Sequence, residues 1–308
     1  MPSARHLLIP MAAADLPGCT QALQSLRLPG LERLLARLSL QGADAGRETD
    51  YAPPHERALA RTLGLPAEAT PWAAWQTRTV GEPCAWVSPC HWQIGADHVV
   101  LLPPEHLGLS AEDGRALVDI LAPWLAQDGI RLSYHEPTRW LVQGPPFAGL
   151  QCAPLQRVLG RDVRPWLPRG PQATRLQRLH SELQMLLYTH PWSEARAARG
   201  LPAVNALWFH GAGMLARLPE HRPEPRMPMA LLQAAQRQDW AAWAAAWQQL
   251  DATEVAALAQ ELAGGETVEL TLCGERSSLH FSSTHRGLGA RITSIFQRKR
   301  LSDLREQL

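Results

Sequence analysis

The sequence has no long apolar run, no excess of either charge and no paired cysteines, and each absence closes off a class of function. No stretch approaches the ~20 consecutive apolar residues that a membrane span requires, so no membrane role is expected. The 30 Lys and Arg stand against 29 Asp and Glu, a formal charge of +1. A surface without a net field does not gather polyanions, and nucleic acid is not expected as a partner. Cys19, Cys84, Cys90, Cys152 and Cys273 are odd in number and scattered, with no C-x-x-C pair. That pattern argues against a disulfide frame or a thiolate zinc site and for reduced thiols in a cytoplasm. The opening MPSARHLLIPMAAADLPG has one arginine and a short apolar stretch cut by Pro10. It is expected to form a first buried strand over residues 6–10 rather than a signal peptide.

At 308 residues the chain exceeds the usual single domain, so two units are expected. Leu31, Leu34, Leu35 and Leu38 share one face of a helix over residues 28–38. A polar loop (42–54), a second helix (53–64) and a Trp- and Ala-containing connection to about Val80 follow. Strands are expected over residues 85–93 and 97–102. Ser110 then opens a helix with an acid three residues on, close to a capping box. Leu117, Ile120, Leu121, Trp124 and Leu125 give that helix its buried face, Gly129 ends it, and strands at 130–134 and 139–142 flank a turn at Glu136-Pro137. Strands, helix, then strands make a small α+β unit.

Further along, leucines at helical spacing predict a helix over 174–188 that Pro191 closes, because the residue before a proline is pushed out of the α region. A loop, a buried strand over 204–209 and a glycine turn at 211–213 come next. A single helix over 230–250 carries Trp240, Trp243 and Trp247 on one face, the signature of a core-facing stripe. After a helix over 253–262, residues 267–272 and 278–282 alternate with period two around Gly274-Glu275, a hairpin. Arg298-Lys299-Arg300 reads as the solvated face of a helical tail.

Within residues 185–213, His190-Pro191, Arg196, Gly200, Pro202, Asn205, Trp208, Gly211 and Gly213 stand in a fixed order. They resemble the HPVN…R…G.P.AN..W..G.G segment of the archaeal-type, cofactor-independent phosphoglycerate mutases, which belong to the alkaline phosphatase superfamily. Ser193 stands where the family has Asn, and His210 where it commonly has Trp. Leu109-Ser110-Ala111-Glu112 and Arg139-Trp140-Leu141-Val142 resemble the family's inserted domain, and residues 159–170 its return to the core. The resemblance implies an α/β fold: an alkaline-phosphatase-like core sheet flanked by helices, with a small inserted α+β domain. On that reading residues 1–80 and 150–308 form the core and 81–149 the insertion.

The resemblance also implies a requirement. Mutases of this kind move a phosphoryl group through a serine held by two divalent ions, and such ions need clustered Asp, Glu and His donors. Here Pro10-Met11-Ala12-Ala13 stands where the family has its first aspartate, and Pro53-Pro54-His55-Glu56-Arg57 where it has its serine. Residues 214–308 hold no counterpart of the family's C-terminal ligand cluster; His280 and His285 stand without an aspartate nearby. No catalytic residue, metal ligand or cofactor is therefore expected. The chain reads as a catalytically degenerate, regulatory or ligand-binding protein of a bacterial cytoplasm, similar to the shortened RpfE-type regulatory proteins. The alternative is an active mutase, independent of 2,3-bisphosphoglycerate, or a phosphatase, dependent on manganese or another divalent metal. An anion pocket for a phosphorylated or carboxylate small molecule is expected at Arg139, Arg196, His190 and His210, since arginine grips such groups bidentately. Cys90-His91 is not expected to act as a nucleophile pair, because adjacent strand residues point to opposite faces. A protein partner, or a second copy, is expected to use the Trp-rich C-terminal helices.

Overall fold

The computed structural model of the chain describes residues 5–284 and 300–308. It divides into two compact units, one of residues 1–67 with 220–308 and the other of residues 68–219. In chain order the first unit opens with β1 (Arg5–Ile9), α1 (Pro17–Ser25), α2 (Pro29–Leu35), β2 (Ser39–Ala45) and α3 (Pro54–Leu63). The second contains α4 (Trp72–Thr77), β3 (Cys84–Ile94), β4 (Val99–Leu102), α5 (Ala111–Gln127), β5 (Arg131–Glu136) and β6 (Arg139–Gln143), then α6 (Leu155–Val158), α7 (Ala173–Thr189), α8 (Pro191–Ala198) and β7 (Ala206–Gly213). The first unit resumes with α9 (Ala230–Gln236), α10 (Trp240–Ala252), α11 (Glu254–Ala263), β8 (Val268–Cys273) and β9 (Ser277–Ser282). The class is mixed α/β, with helices flanking sheets, as the sequence led us to expect.

The four-stranded sheet of the first unit runs β1-β8-β9-β2, parallel between β1 and β8 and antiparallel elsewhere. Alternation decides its two faces. Leu7 and Ile9, Leu270 and Leu272, and Leu279 and Phe281 point into the main core with α1, α2, α10 and α11. Leu8 and Cys273 point the other way, against Ala58 and Leu59 of α3.

Trp243 and Trp247 are fully buried in that core, and their indoles donate to the carbonyls of Met11 and Ala12. The core-facing stripe is thus confirmed, and a docking surface on these helices has to use other side chains. The expected single helix over 230–250 is two: Gln238 adopts φ +54°, and Asp239 caps α10 by accepting from Ala242 N–H. A capping aspartate restarts the helix there.

At the end of α10 the buried Asp251 accepts from Gly30 N–H at 2.9 Å and Leu31 N–H at 2.6 Å, capping α2 from outside that helix. A carboxylate there satisfies two orphan donors and meets the positive end of the helix dipole. Asp251→Ala is expected to cost about 1–3 kcal/mol in urea denaturation, and a loss below about 0.5 kcal/mol would show the cap to be dispensable.

In the second unit β3 pairs with β4, β6 and β7, and β6 with β5, all antiparallel. Leu117, Leu121 and Leu125 of α5 and Leu176, Leu179, Leu183 and Leu187 of α7 share its core. The Ser110–Asp113 capping box forms as predicted, whereas Trp124 is exposed rather than buried. The unit boundaries differ from the expected 80/81 and 149/150 because β7 pairs with β3 along Cys84–Cys90, tying residues beyond 150 to the same sheet.

Three elements read as loop are ordered. Residues 191–198 are helix α8, since Pro191 suits a first helical turn and His190 caps it by accepting from Trp192 N–H. Residues 72–77 are helix α4. Residues 39–45 are the edge strand β2, whose side chains are mostly exposed and carry no alternating apolar pattern. The expected glycine turn at 211–213 instead continues β7.

Candidate functional site

The polar face of the first unit's sheet gathers three potential metal-ligating side chains. Parallel pairing sets His6 of β1 beside Glu269 of β8, and antiparallel pairing sets Thr271 of β8 beside His280 of β9. Period-two alternation turns all four away from the main core. His6 Nε2 lies 2.8 Å from Thr271 Oγ1, which lies 3.0 Å from His280 Nδ1. His6 Nδ1 is 3.7 Å from Glu269 Oε2, and the two imidazoles meet edge to face with centroids 5.7 Å apart. Donor atoms of His6, Glu269 and His280 all lie within 4.8 Å of one another.

His6 is buried, and burial, with the nearby His280, lowers its pKa from 6.5 to about 4, so the ring is neutral at pH 7. The four residues line a cavity of about 590 Å³ whose wall also includes Asp44 and Arg61. Asp44 is held below the usual carboxylate range: burial pushes it up, but hydrogen bonds from Arg61 and Arg57 outweigh that.

The carboxyl ends of β1 and β8, where an open α/β sheet ordinarily receives its ligand, are built differently. Ala12, Ala13 and Ala14 are buried there. The adjoining cavity of about 360 Å³ is lined by Asp15, Glu275, Arg276, Arg305 and Glu306 among others, with no histidine among the described residues of its wall. Asp15 N–H donates to Glu275 at 2.9 Å, and the Asp15 carboxylate pairs with Arg276 at 3.4 Å. Three carboxylates, of Asp15, Glu275 and Glu306, share that wall with Arg276 and Arg305, a thin donor set for two divalent ions. At the start of α3, where the sequence resemblance led us to look for a serine, Pro53, Pro54 and a buried His55 stand. Neither place fits a two-metal, serine-based centre. His285, Arg298 and Lys299 lie outside the described residues.

The four residues expected to form an anion pocket lie in the second unit and are largely engaged in holding its framework. Arg196 is buried; Nε donates to Pro202 O at 2.6 Å, an Nη to Leu107 O, and the guanidinium lies over Trp192. His190 caps α8. Arg139 pairs with Glu136 at 2.6 Å and covers Trp86, the β3 neighbour of His210. His210 Nε2 sits 3.3 Å from Ser88 Oγ. Burial and the charge of Arg139 lower its pKa to about 4.

The rest of the motif is architectural too. Asn205 pairs with both backbone groups of Trp92, and Trp208 donates to Ala153 O. A Cβ on Gly213 would meet Pro71 at 2.8 Å. Cys90 is buried with its thiol pushed far above the ordinary range, and His91 bonds Ala203 O at 2.8 Å, so the neighbours form no nucleophile pair.

His6 and Glu269 were missed as site residues although both strands were legible. The alternation Val268-Glu269-Leu270-Thr271-Leu272 already separates Glu269 and Thr271 from the core side. What no local pattern carries is the pairing of residue 6 with residue 269.

No family model matches the chain. A 2,3-bisphosphoglycerate-independent phosphoglycerate mutase of Methanothrix thermoacetophila is 31% identical over 77 residues, which are 25% of this chain and 17% of that protein. The match thus spans less than a fifth of the relative's length. Among solved structures, the cofactor-independent phosphoglycerate mutase of Thermoplasma acidophilum aligns over 90% of this chain and 89% of its own, at 14% identity and a TM-score of 0.38. A Pyrococcus horikoshii protein aligns over 95% and 93%, at 13% identity and a TM-score of 0.46. The chain is similar in a stretch of sequence to phosphoglycerate mutases, and its fold class rests on its own strands and helices.

Proposed function

We propose that this chain is a ligand-binding relative of the cofactor-independent phosphoglycerate mutases, with an alkaline-phosphatase-like core, that no longer transfers phosphoryl groups. The observation that carries the reading is the segment after β1. Ala12, Ala13 and Ala14 are buried where the family begins its metal site, and the carbonyls of Met11 and Ala12 are taken by the indoles of Trp243 and Trp247. Apolar packing stabilises that end of the sheet. The absence of a hydroxyl at Pro53-Pro54-His55 points the same way. The role consistent with this loss is regulatory, in a bacterial cytoplasm, with a phosphorylated or carboxylate small molecule as the ligand class.

The test is phosphorus NMR of the full-length chain with 3-phosphoglycerate and manganese, and in parallel a chromogenic phosphate ester. No 2-phosphoglycerate and no released phosphate above the protein-free rate is expected. Turnover that a chelator abolishes would overturn the reading.

A further inference from the structure

We propose that the polar sheet face of the first unit binds one zinc-type divalent cation through His6, Glu269 and His280. The site stands at the amino ends of β1 and β8, opposite the end where the family's metals are expected, and it does not depend on the loss of phosphoryl transfer. Two imidazoles and one carboxylate are a recurrent zinc donor set that leaves a further position open. Their donor atoms already lie within 4.8 Å of one another. Zinc bonds of about 2.0–2.2 Å set donor separations of roughly 3.4 Å in a tetrahedron. Rotation of Glu269, whose side chain is 30% exposed, together with a small shift of His280, closes the difference.

The surroundings favour a cation over a plain polar cluster. Among the described residues Glu269 has no Arg or Lys in ion-pair reach; the groups beside its carboxylate are the imidazoles of His6 and His280. A half-buried carboxylate with no guanidinium or ammonium beside it lacks the counter-charge that a divalent ion supplies. Thr271 plays the outer-sphere part. Its hydroxyl oxygen has two lone pairs and accepts from both His6 Nε2–H and His280 Nδ1–H in the metal-ready state, which leaves the lone pairs of His6 Nδ1 and His280 Nε2 for the cation. With His6 Nε2 turned to Thr271, Nδ1 faces Glu269 at 3.7 Å and the Thr62 hydroxyl at 3.5 Å, a long contact that a cation displaces. The open coordination position faces the cavity of about 590 Å³, which admits water or an anionic ligand beside Arg61 and Arg222.

Isothermal titration of the chelator-stripped, full-length protein with Zn²⁺ at pH 7 tests this. One site per chain is expected. Glu269→Gln and His280→Gln are each expected to weaken it at least 100-fold, and Thr271→Val about 10- to 100-fold, with the apo protein melting within a few degrees of wild type. Equal affinity in Glu269→Gln and His280→Gln, or no saturable binding, overturns the proposal. Should those variants fail to fold, Co²⁺ bound to the wild type gives a separate readout. Intense visible d–d absorption of a four- or five-coordinate ion supports the site, and the weak spectrum of the hydrated ion overturns it. Neither readout depends on mutase turnover, so the two proposals fail separately.

Discussion

Replacing Arg57 with alanine is expected to lower stability by about 3–5 kcal/mol, among the largest single-residue effects in this chain. The side chain is buried on α3 and satisfies three acceptors from three segments: Asp44 at 2.7 Å, Ala52 O at 2.7 Å and Arg276 O at 2.8 Å. Its loss takes the side-chain donor from Ala52 O and from Arg276 O, the latter keeping only the Gly46 N–H, and strips Asp44 of one of two cations. The other, Arg61 at 2.8 Å, is about half exposed and shields it less. Arg57→Lys should recover only part of the loss, because a point charge cannot reach three acceptors arranged for a planar fork. Urea denaturation of Arg57→Ala, Asp44→Ala and the double variant measures the coupling. A loss under 1 kcal/mol in Arg57→Ala would show the guanidinium to be replaceable by water. Because Asp44 and Arg61 also wall the larger cavity, the single substitution should weaken any ligand held there as well.

Acidification from pH 7 to 4 should destabilise the second unit steeply, through His180 and His210. Burial lowers each pKa from 6.5 to about 4; the charge of Arg139 adds to this at His210, while a hydrogen bond to the backbone at Leu207 opposes it at His180. The folded state therefore favours the neutral rings. Their contribution is fully present above pH 6.5 and is lost as pH falls from there through about 4, where the folded state must accept the same protons. At 1.36 kcal/mol per pKa unit the loss is on the order of 2–3 kcal/mol for each ring. The physical causes are specific: His180 stacks on Trp92 at 4.5 Å with Nε2 buried and unpartnered, and His210 faces Ser88 with Arg139 nearby. Denaturation midpoints at pH 7, 5.5 and 4.5 should fall progressively in wild type and less in His210→Gln. An unchanged slope in that variant would remove His210 from the account.

Much of the secondary structure was legible because it is written locally. The capping box at Ser110, the stop at Pro191 and the hairpin alternation around Gly274 each carry a physical cause within a few residues. The elements missed were those whose stability comes from elsewhere. β2 has an exposed, polar sequence and exists because β9 offers it a hydrogen-bonding edge. The capped restart at Asp239 is a single residue inside an otherwise continuous helical pattern.

The site followed the same division. The motif at 190–213 is conspicuous in sequence, yet its Arg, Asn, Trp and Gly residues serve backbone carbonyls and close packing. The residues that face a cavity together are ordinary alternating positions on three strands, brought side by side by a parallel pairing across most of the chain.

The central claim is that the working surface of the first unit is the face of His6, Glu269 and His280, and that the carboxyl end of β1 has been filled by packing. Anomalous diffraction at the zinc edge from crystals of the full chain tests it directly. The account predicts one strong peak between the two imidazoles and the Glu269 carboxylate; a peak beside Asp15 and Glu275, with none at the histidines, would contradict it.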